Sequence, residues 1–215
     1  MQVLLFYISC VFGLLPFIYF LLNYKTVGKD VSLFKPFIFL AFFSTLYEFI
    51  FSYMLKINSS VWFRIYLLLE FMCIFYFYFN LFEKQIKARR MAFFGLILYI
   101  FLFGILLFYW KENDNLKTDS FLSAYNTLFV ILFSLLWFQK IFSNIAIDNL
   151  FRSPIFIIIS ALLIYYTSTL FLFLMSDYML KDKEYSFIAF WQINVVSIII
   201  LRIFFIIGIK NSFKK

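Results

Sequence analysis

Long apolar runs of nearly uniform length alternate with short polar connections along the whole chain. The runs fall at 2–23, 34–55, 61–82, 91–110, 119–140, 153–176 and 187–209. An α-helix rising 1.5 Å per residue needs about 20 mostly apolar residues to cross the hydrocarbon core of a bilayer. The pattern therefore predicts an all-α, polytopic membrane protein with seven transmembrane helices in one domain over residues 1–215. The connections leave no room for a soluble domain. The first run lacks a basic leader and a small-residue cleavage site, so it reads as a helix and not as a signal peptide.

Composition agrees with the pattern. Hydrophobic residues make up 65% of the chain and mean hydropathy is +0.96, where soluble domains are closer to half apolar. Phe supplies 36 residues and Gly only 5. The bias toward Phe, Ile, Lys, Tyr and Asn points to an AT-rich bacterial genome. A formal charge of +8 would suggest nucleic acid in a soluble protein. Here the basic residues sit between apolar runs, so membrane lipids with anionic headgroups are the expected partner and nucleic acid is not.

The distribution of Lys and Arg predicts an orientation. One side of the seven-span plan holds Lys25, Lys29, Lys35, Lys84, Lys87, Arg89, Arg90, Lys140, Arg152, Lys210, Lys214 and Lys215. The other holds only Lys56, Arg64, Lys111, Lys117, Lys181 and Lys183. This puts the C-terminus in the cytoplasm and the N-terminus outside, in a bacterial inner membrane. Trp62, Trp110 and Trp191 then fall at the outer interface and Trp137 at the inner one, as aromatic belts.

One Lys or Arg belongs to neither side. Arg202 lies in VSIIILRIFFIIGI, four residues past the centre of the last run, about 6 Å from it. Its side chain leans toward the N-terminus of its own helix, away from the nearer interface, so a partner inside the bundle is expected. The acids at comparable depth are Glu70 in the third span and Glu48 in the second. The expected pairing is Arg202 with Glu70, with Glu48 beside them. Ser44, Thr45 and Ser52 share a helical face with Glu48, and Tyr66 and Cys73 share one with Glu70. Gln192, Asn194 and Ser197 on the seventh span and Tyr165, Tyr166, Thr167 and Ser168 on the sixth add polarity. Asn126 and Thr127 on the fifth fall nearer the outer side. Together these suggest a polar pocket between spans 2, 3, 6 and 7. The competing reading is that such residues pin bulky helices together.

Two pairs of segments look alike. DVSLFKPFIF (Asp30 to Phe39) and DNLFRSPIFI (Asp148 to Ile157) enter the second and sixth spans. SYMLK (Ser52 to Lys56) and DYMLK (Asp177 to Lys181) close them. They suggest an internal duplication of a three-helix unit, 1–82 and 119–215, joined by a linker span at 91–110, with a two-turn insertion in the sixth span. The fourth span carries no polar group beyond tyrosine hydroxyls and is expected to face lipid all round. Pro16 is expected to kink the first span.

Catalytic motifs are missing. The chain contains no histidine, no HExxH and no cluster of aspartates, and Cys10 and Cys73 form no CxxC pair. No metal or cofactor is expected, and the sequence carries no constellation that defines an enzyme. A retinal Schiff base needs a lysine deep in the last span, where none stands.

LYEFIFSYMLKINSSVWFRIYLLLEFMCIFYFYF (Leu46 to Phe79) resembles the helix 2–3 region of small seven-helix membrane proteins of Bacteroidota. The shared features are the acid Glu48, Asn58 in the connection and Tyr66 with Glu70–Phe71. WQIN (Trp191 to Asn194) is similar as well, although the family often has histidine where this chain has Asn194. The resemblance implies the seven-helix fold and an inner membrane, and no activity. Related seven-helix modules serve as inputs to sensor kinases, so a sensing module with a small-molecule or lipid ligand and a borrowed membrane or cytoplasmic partner is the first expectation. A small-solute transporter, proton-coupled through Glu48 or Glu70, and a subunit of a larger complex are the alternatives.

Overall fold

The computed structural model describes residues 2–110, 116–143, 150–181 and 185–213. Among them are seven helices long and apolar enough to cross a membrane. They are α1 (Gln2–Leu22), α2 (Lys35–Tyr47), α3 (Ser60–Leu81), α4 (Ile86–Tyr109), α5 (Leu116–Ser143), α6 (Pro154–Lys181) and α7 (Tyr185–Asn211). The all-helical expectation holds, and the predicted spans differ from the helices mainly at their ends. α1 runs through Pro16 as one element. α2 does not stay α-helical. Past Tyr47 the chain opens into a π-helix, Glu48–Met54, before ending at Leu55.

Proline sets two helix starts. Pro36 stands in the first turn of α2 and Pro154 opens α6, positions where a missing N–H costs nothing. Each is preceded by a short turn of helix, Lys29–Ser32 and Leu150–Arg152.

Six helices close a ring. α1 packs on α2 and α7, α2 on α3, α3 on α5, α5 on α6 and α6 on α7. α4 stays outside, against α3 and α5. Its expected all-lipid surface needs correction along one stripe. Tyr99 is fully buried, stacks on Phe71 at 3.9 Å and donates its hydroxyl to Leu67 O at 3.0 Å. Tyr125 of α5 donates to Gly95 O at 2.7 Å. The remaining faces of α4, with Phe93, Phe94, Ile97, Phe101 and Phe108, are exposed.

The ring is filled unevenly. Toward the end that carries the 23–34 connection, Phe20, Phe34, Phe77, Phe82, Phe133 and Phe205 are fully buried. Phe34 sits at the junction, with ring centroids 5.2 Å from Phe77 and 4.7 Å from Phe205. In lipid there is little hydrophobic drive between helices, so interlocked rings hold this end by dispersion and edge-to-face contact. Trp137 belongs to this core. It is 5% exposed, which corrects its assignment to an interfacial belt. Basic side chains at the same end lie on aromatic faces, Arg89 over Phe79 at 4.2 Å and Lys35 over Tyr24 at 5.1 Å.

Candidate functional site

The opposite end of the ring is hollow. A cavity of about 790 Å³ lies between α1, α2, α3, α5, α6 and α7, and its lining includes Asn58, Ser59 and Ser60 at the start of α3. Its inner wall includes Glu70, Tyr165, Ile198 and Arg202. Asn58 shapes this part of the lining, accepting from Ser60 N at 3.0 Å and Ser60 Oγ at 2.7 Å, so the first turn of α3 is held by a side chain.

Glu70 lies ten residues into α3, about 15 Å along the axis and near its midpoint. It is 6% exposed. Tyr66, one turn earlier, donates to Oε1 at 3.3 Å, and Asn126 Nδ2 of α5 donates to Oε2 at 3.5 Å. Tyr166 of α6 faces the same carboxyl. Its hydroxyl nevertheless makes no hydrogen bond of normal geometry among the described residues. These are long bonds for a buried carboxyl, which usually gathers short ones.

Arg202 does not pair with Glu70, contrary to the sequence expectation. Its Nη1 donates to Ser9 O at 2.6 Å and to Ser9 Oγ at 3.3 Å, and its Nη2 donates to Thr45 Oγ1 at 3.1 Å. The reason is steric. Gly13 lies one turn past Ser9 on α1, and a Cβ there would come within 2.9 Å of Nη1 and 2.7 Å of Thr45 Cγ2. The bare backbone lets the guanidinium reach a helix carbonyl. The acid within its electrostatic reach is Glu48, not Glu70. Glu48 sits at the start of the π-helix and accepts from Ser44 Oγ at 3.4 Å.

The salt bridge among the described residues is a different one. Arg64 of α3 and Asp119 of α5 form a hydrogen-bonded ion pair with both side chains at most 5% exposed. The guanidinium also lies over Phe103 of α4 at 5.0 Å. Arg64, expected among the connection cations, is instead buried inside the bundle. A buried charge needs a buried partner, and the fifth residue of a helix facing the ring is already inside.

Of the residues singled out from sequence, Glu48, Tyr66, Glu70, Tyr166, Gln192, Asn194 and Arg202 all line the cavity. Ser197 does not. It is buried against α6, accepting from Ser168 Oγ at 3.3 Å. The pocket expected between spans 2, 3, 6 and 7 is wider than that, since α1 contributes Ser9 and α5 contributes Asp119, Ser123 and Asn126. Ser9 and Gly13 carried a signal, since small residues four apart mark close helix approach. The side chains of Lys111, Lys117, Asp148, Asp177, Lys181, Lys183, Trp191, Lys214 and Lys215 lie outside the described residues.

Several buried polar atoms on the cavity wall have no hydrogen-bond partner among the described residues. They are Ser52 Oγ, Trp62 Nε1, Asp119 Oδ2, Asn126 Oδ1, Tyr166 Oη and Asn194 Oδ1. Such atoms cost about 1–3 kcal/mol each when left unpaired. No three Cys, Asp or Glu side chains converge as metal ligands among the described residues.

Fold and site together define a class, a bundle of seven membrane-spanning-length helices among the described residues, six of them around a polar cavity. No protein-family model matches the chain, and neither curated proteins nor solved structures give a match.

Proposed function

We propose that this is an integral membrane module that binds a small molecule or lipid in the cavity beside Glu70 and Arg202. The observation that carries the reading is a cavity of about 790 Å³ whose lining brings Glu48, Glu70, Asn126, Gln192, Asn194 and Arg202 together inside an apolar bundle. Ligand sites run from about 300 to 1,000 Å³ with a few placed polar groups on largely apolar walls. The N-terminus is outside and the C-terminus cytoplasmic in a bacterial inner membrane, in keeping with the basic residues of the 23–34 and 83–90 connections. Occupancy is read out by a membrane or cytoplasmic partner at that basic face, which makes the module a sensor.

A second reading, transport, is favoured by the six-helix ring. α1–α2–α3 and α5–α6–α7 each pack in sequence, and α4 is the outlier. A duplicated triplet joined by a linker helix would give this arrangement, and a midplane site between two like halves suits alternating access. The short turns before Pro36 and Pro154 and the eight extra residues of α6 over the α2 span support the duplication.

Native mass spectrometry of protein released from its own membrane tests the binding reading. A small-molecule mass retained by the wild type and lost in Ala41→Trp, which fills the cavity, is expected. Equal spectra for both proteins would count against it. Counterflow in proteoliposomes, abolished by Glu70→Gln, would move the assignment from sensing to transport.

A further inference from the structure

Resting on that binding reading, we infer that the ligand is an organic cation, a protonated amine with an apolar body, whose ammonium sits at Glu70. The charges on the cavity wall are unbalanced. Among the described residues Glu48, Glu70, Asp119 and Arg202 face it, and with Asp119 paired to Arg64 and Glu48 in reach of Arg202, Glu70 is left without a cation. Arg202 is turned toward α1 and α2, its terminal nitrogens donating to Ser9 and Thr45. Arg64 is no part of the wall. It is turned onto Asp119 and the Phe103 ring. Glu70 is therefore the carboxyl on the wall that no cation among the described residues answers.

Asn126 turns its amide nitrogen to Glu70. At Glu70 itself the two side-chain bonds are 3.3 and 3.5 Å long. Tyr166 also faces this carboxyl, so its donors are all neutral ones, and an ammonium brings three charged N–H groups. Tyr66, Tyr165, Tyr166, Trp62 and Phe63 also line the cavity, aromatic surroundings that suit a cation.

The test compares three probes of one chain length, dodecylammonium, dodecanol and dodecanoate, by saturable shifts in the thermal unfolding of the whole protein in neutral detergent. Dodecylammonium is expected to bind at least tenfold more tightly than either of the others. Glu70→Gln should remove that preference and leave the dodecanol shift in place, a control that reports folding of the variant. If dodecanol or dodecanoate binds as well as the amine to the wild type, the cation assignment is overturned and the cavity remains a binding site. If no probe gives a saturable shift, both the assignment and the binding reading fall.

Discussion

The two ends of the bundle solve the same packing problem in opposite ways. At the basic end Phe34, Phe77 and Phe205 interlock, and Val31 and Phe34 from the connection are tucked fully out of reach. At the other end the same six helices stand around a cavity, and the buried contacts are polar ones: Arg64 with Asp119, Arg202 with Ser9 and Thr45, Glu70 with Tyr66 and Asn126. Dispersion between rings is non-directional and tolerates many arrangements. Buried hydrogen bonds and ion pairs are directional and fix helix depth and rotation. The hollow end can therefore keep its shape without filling its volume, because a few polar pins do what a packed core does at the other end.

The sharpest break in this comparison is at the ion pair. Asp119→Leu leaves Arg64 charged and buried, and is expected to destabilise by about 3–5 kcal/mol. Denaturation by SDS in mixed micelles, followed by tryptophan fluorescence, measures it. Arg64→Leu together with Asp119→Leu should recover most of the loss, since a buried pair replaced by apolar side chains is close to neutral. A single variant as stable as the wild type would mean that the pair is not what holds α3 to α5.

That pair also shows which parts of the structure can be read from sequence. The seven spans are legible because hydrocarbon thickness imposes one length on every helix, whatever it packs against. Tyr66 and Glu70 are legible as neighbours because i and i+4 meet on any helix. Partners across helices are not. Depth narrows Arg202 to a zone, but ring order and helix rotation choose Ser9 and Thr45 within it, and both depend on Gly13 letting α1 come close. Arg64 looks like an interfacial cation because it is five residues into its helix, and only the buried Asp119 across from it reveals otherwise. Asn126 was visible as polar but not as facing Glu70, since nothing local ties α5 to α3. The π-helix at Glu48 has no signature in the apolar pattern at all.

Packing makes the next contrast. Phe205→Ala removes a ring that is 2% exposed and contacts Phe34 and Phe37, with centroids 4.7 and 5.8 Å away. Lipid is as apolar as the core, so the transfer part of the loss shrinks and the void dominates, about 2–3 kcal/mol. Ile198→Ala, on the cavity wall, enlarges a space that already exists and is expected to cost less than about 1 kcal/mol. Equal losses in the SDS titration would erase the distinction between the filled end and the hollow one.

Gly13→Ala probes the pin that replaces packing. The added methyl would meet Thr45 Cγ2 at 2.7 Å and Arg202 Nη1 at 2.9 Å. Overpacking of this kind costs about 1–3 kcal/mol. Adding Thr45→Ala removes one of the two colliding groups and should return about half. A fully stable Gly13→Ala protein would place Arg202 elsewhere than on the Ser9 carbonyl.

The smallest effect sits where the hollow end begins. The π-helix leaves Leu55 N bonded to Ile50 O at 3.1 Å, and the chain then closes with Ile57 N donating to Phe51 O at 3.0 Å. That closing bond spans six residues and needs a left-handed residue inside it, and Lys56 takes the position with φ 53°. A side chain in this conformation costs about 1–2 kcal/mol, which glycine avoids. Glycine also loosens the unfolded chain by about 0.4–1 kcal/mol, so Lys56→Gly is expected to stabilise by only about 0.5 kcal/mol net. Lys56→Ala separates backbone from charge, because it keeps the strain and removes only the ammonium. It should leave stability unchanged. If Lys56→Ala gains as much as Lys56→Gly in the SDS titration, the ammonium is the source of the cost, and the left-handed turn that ends the π-helix is not strained.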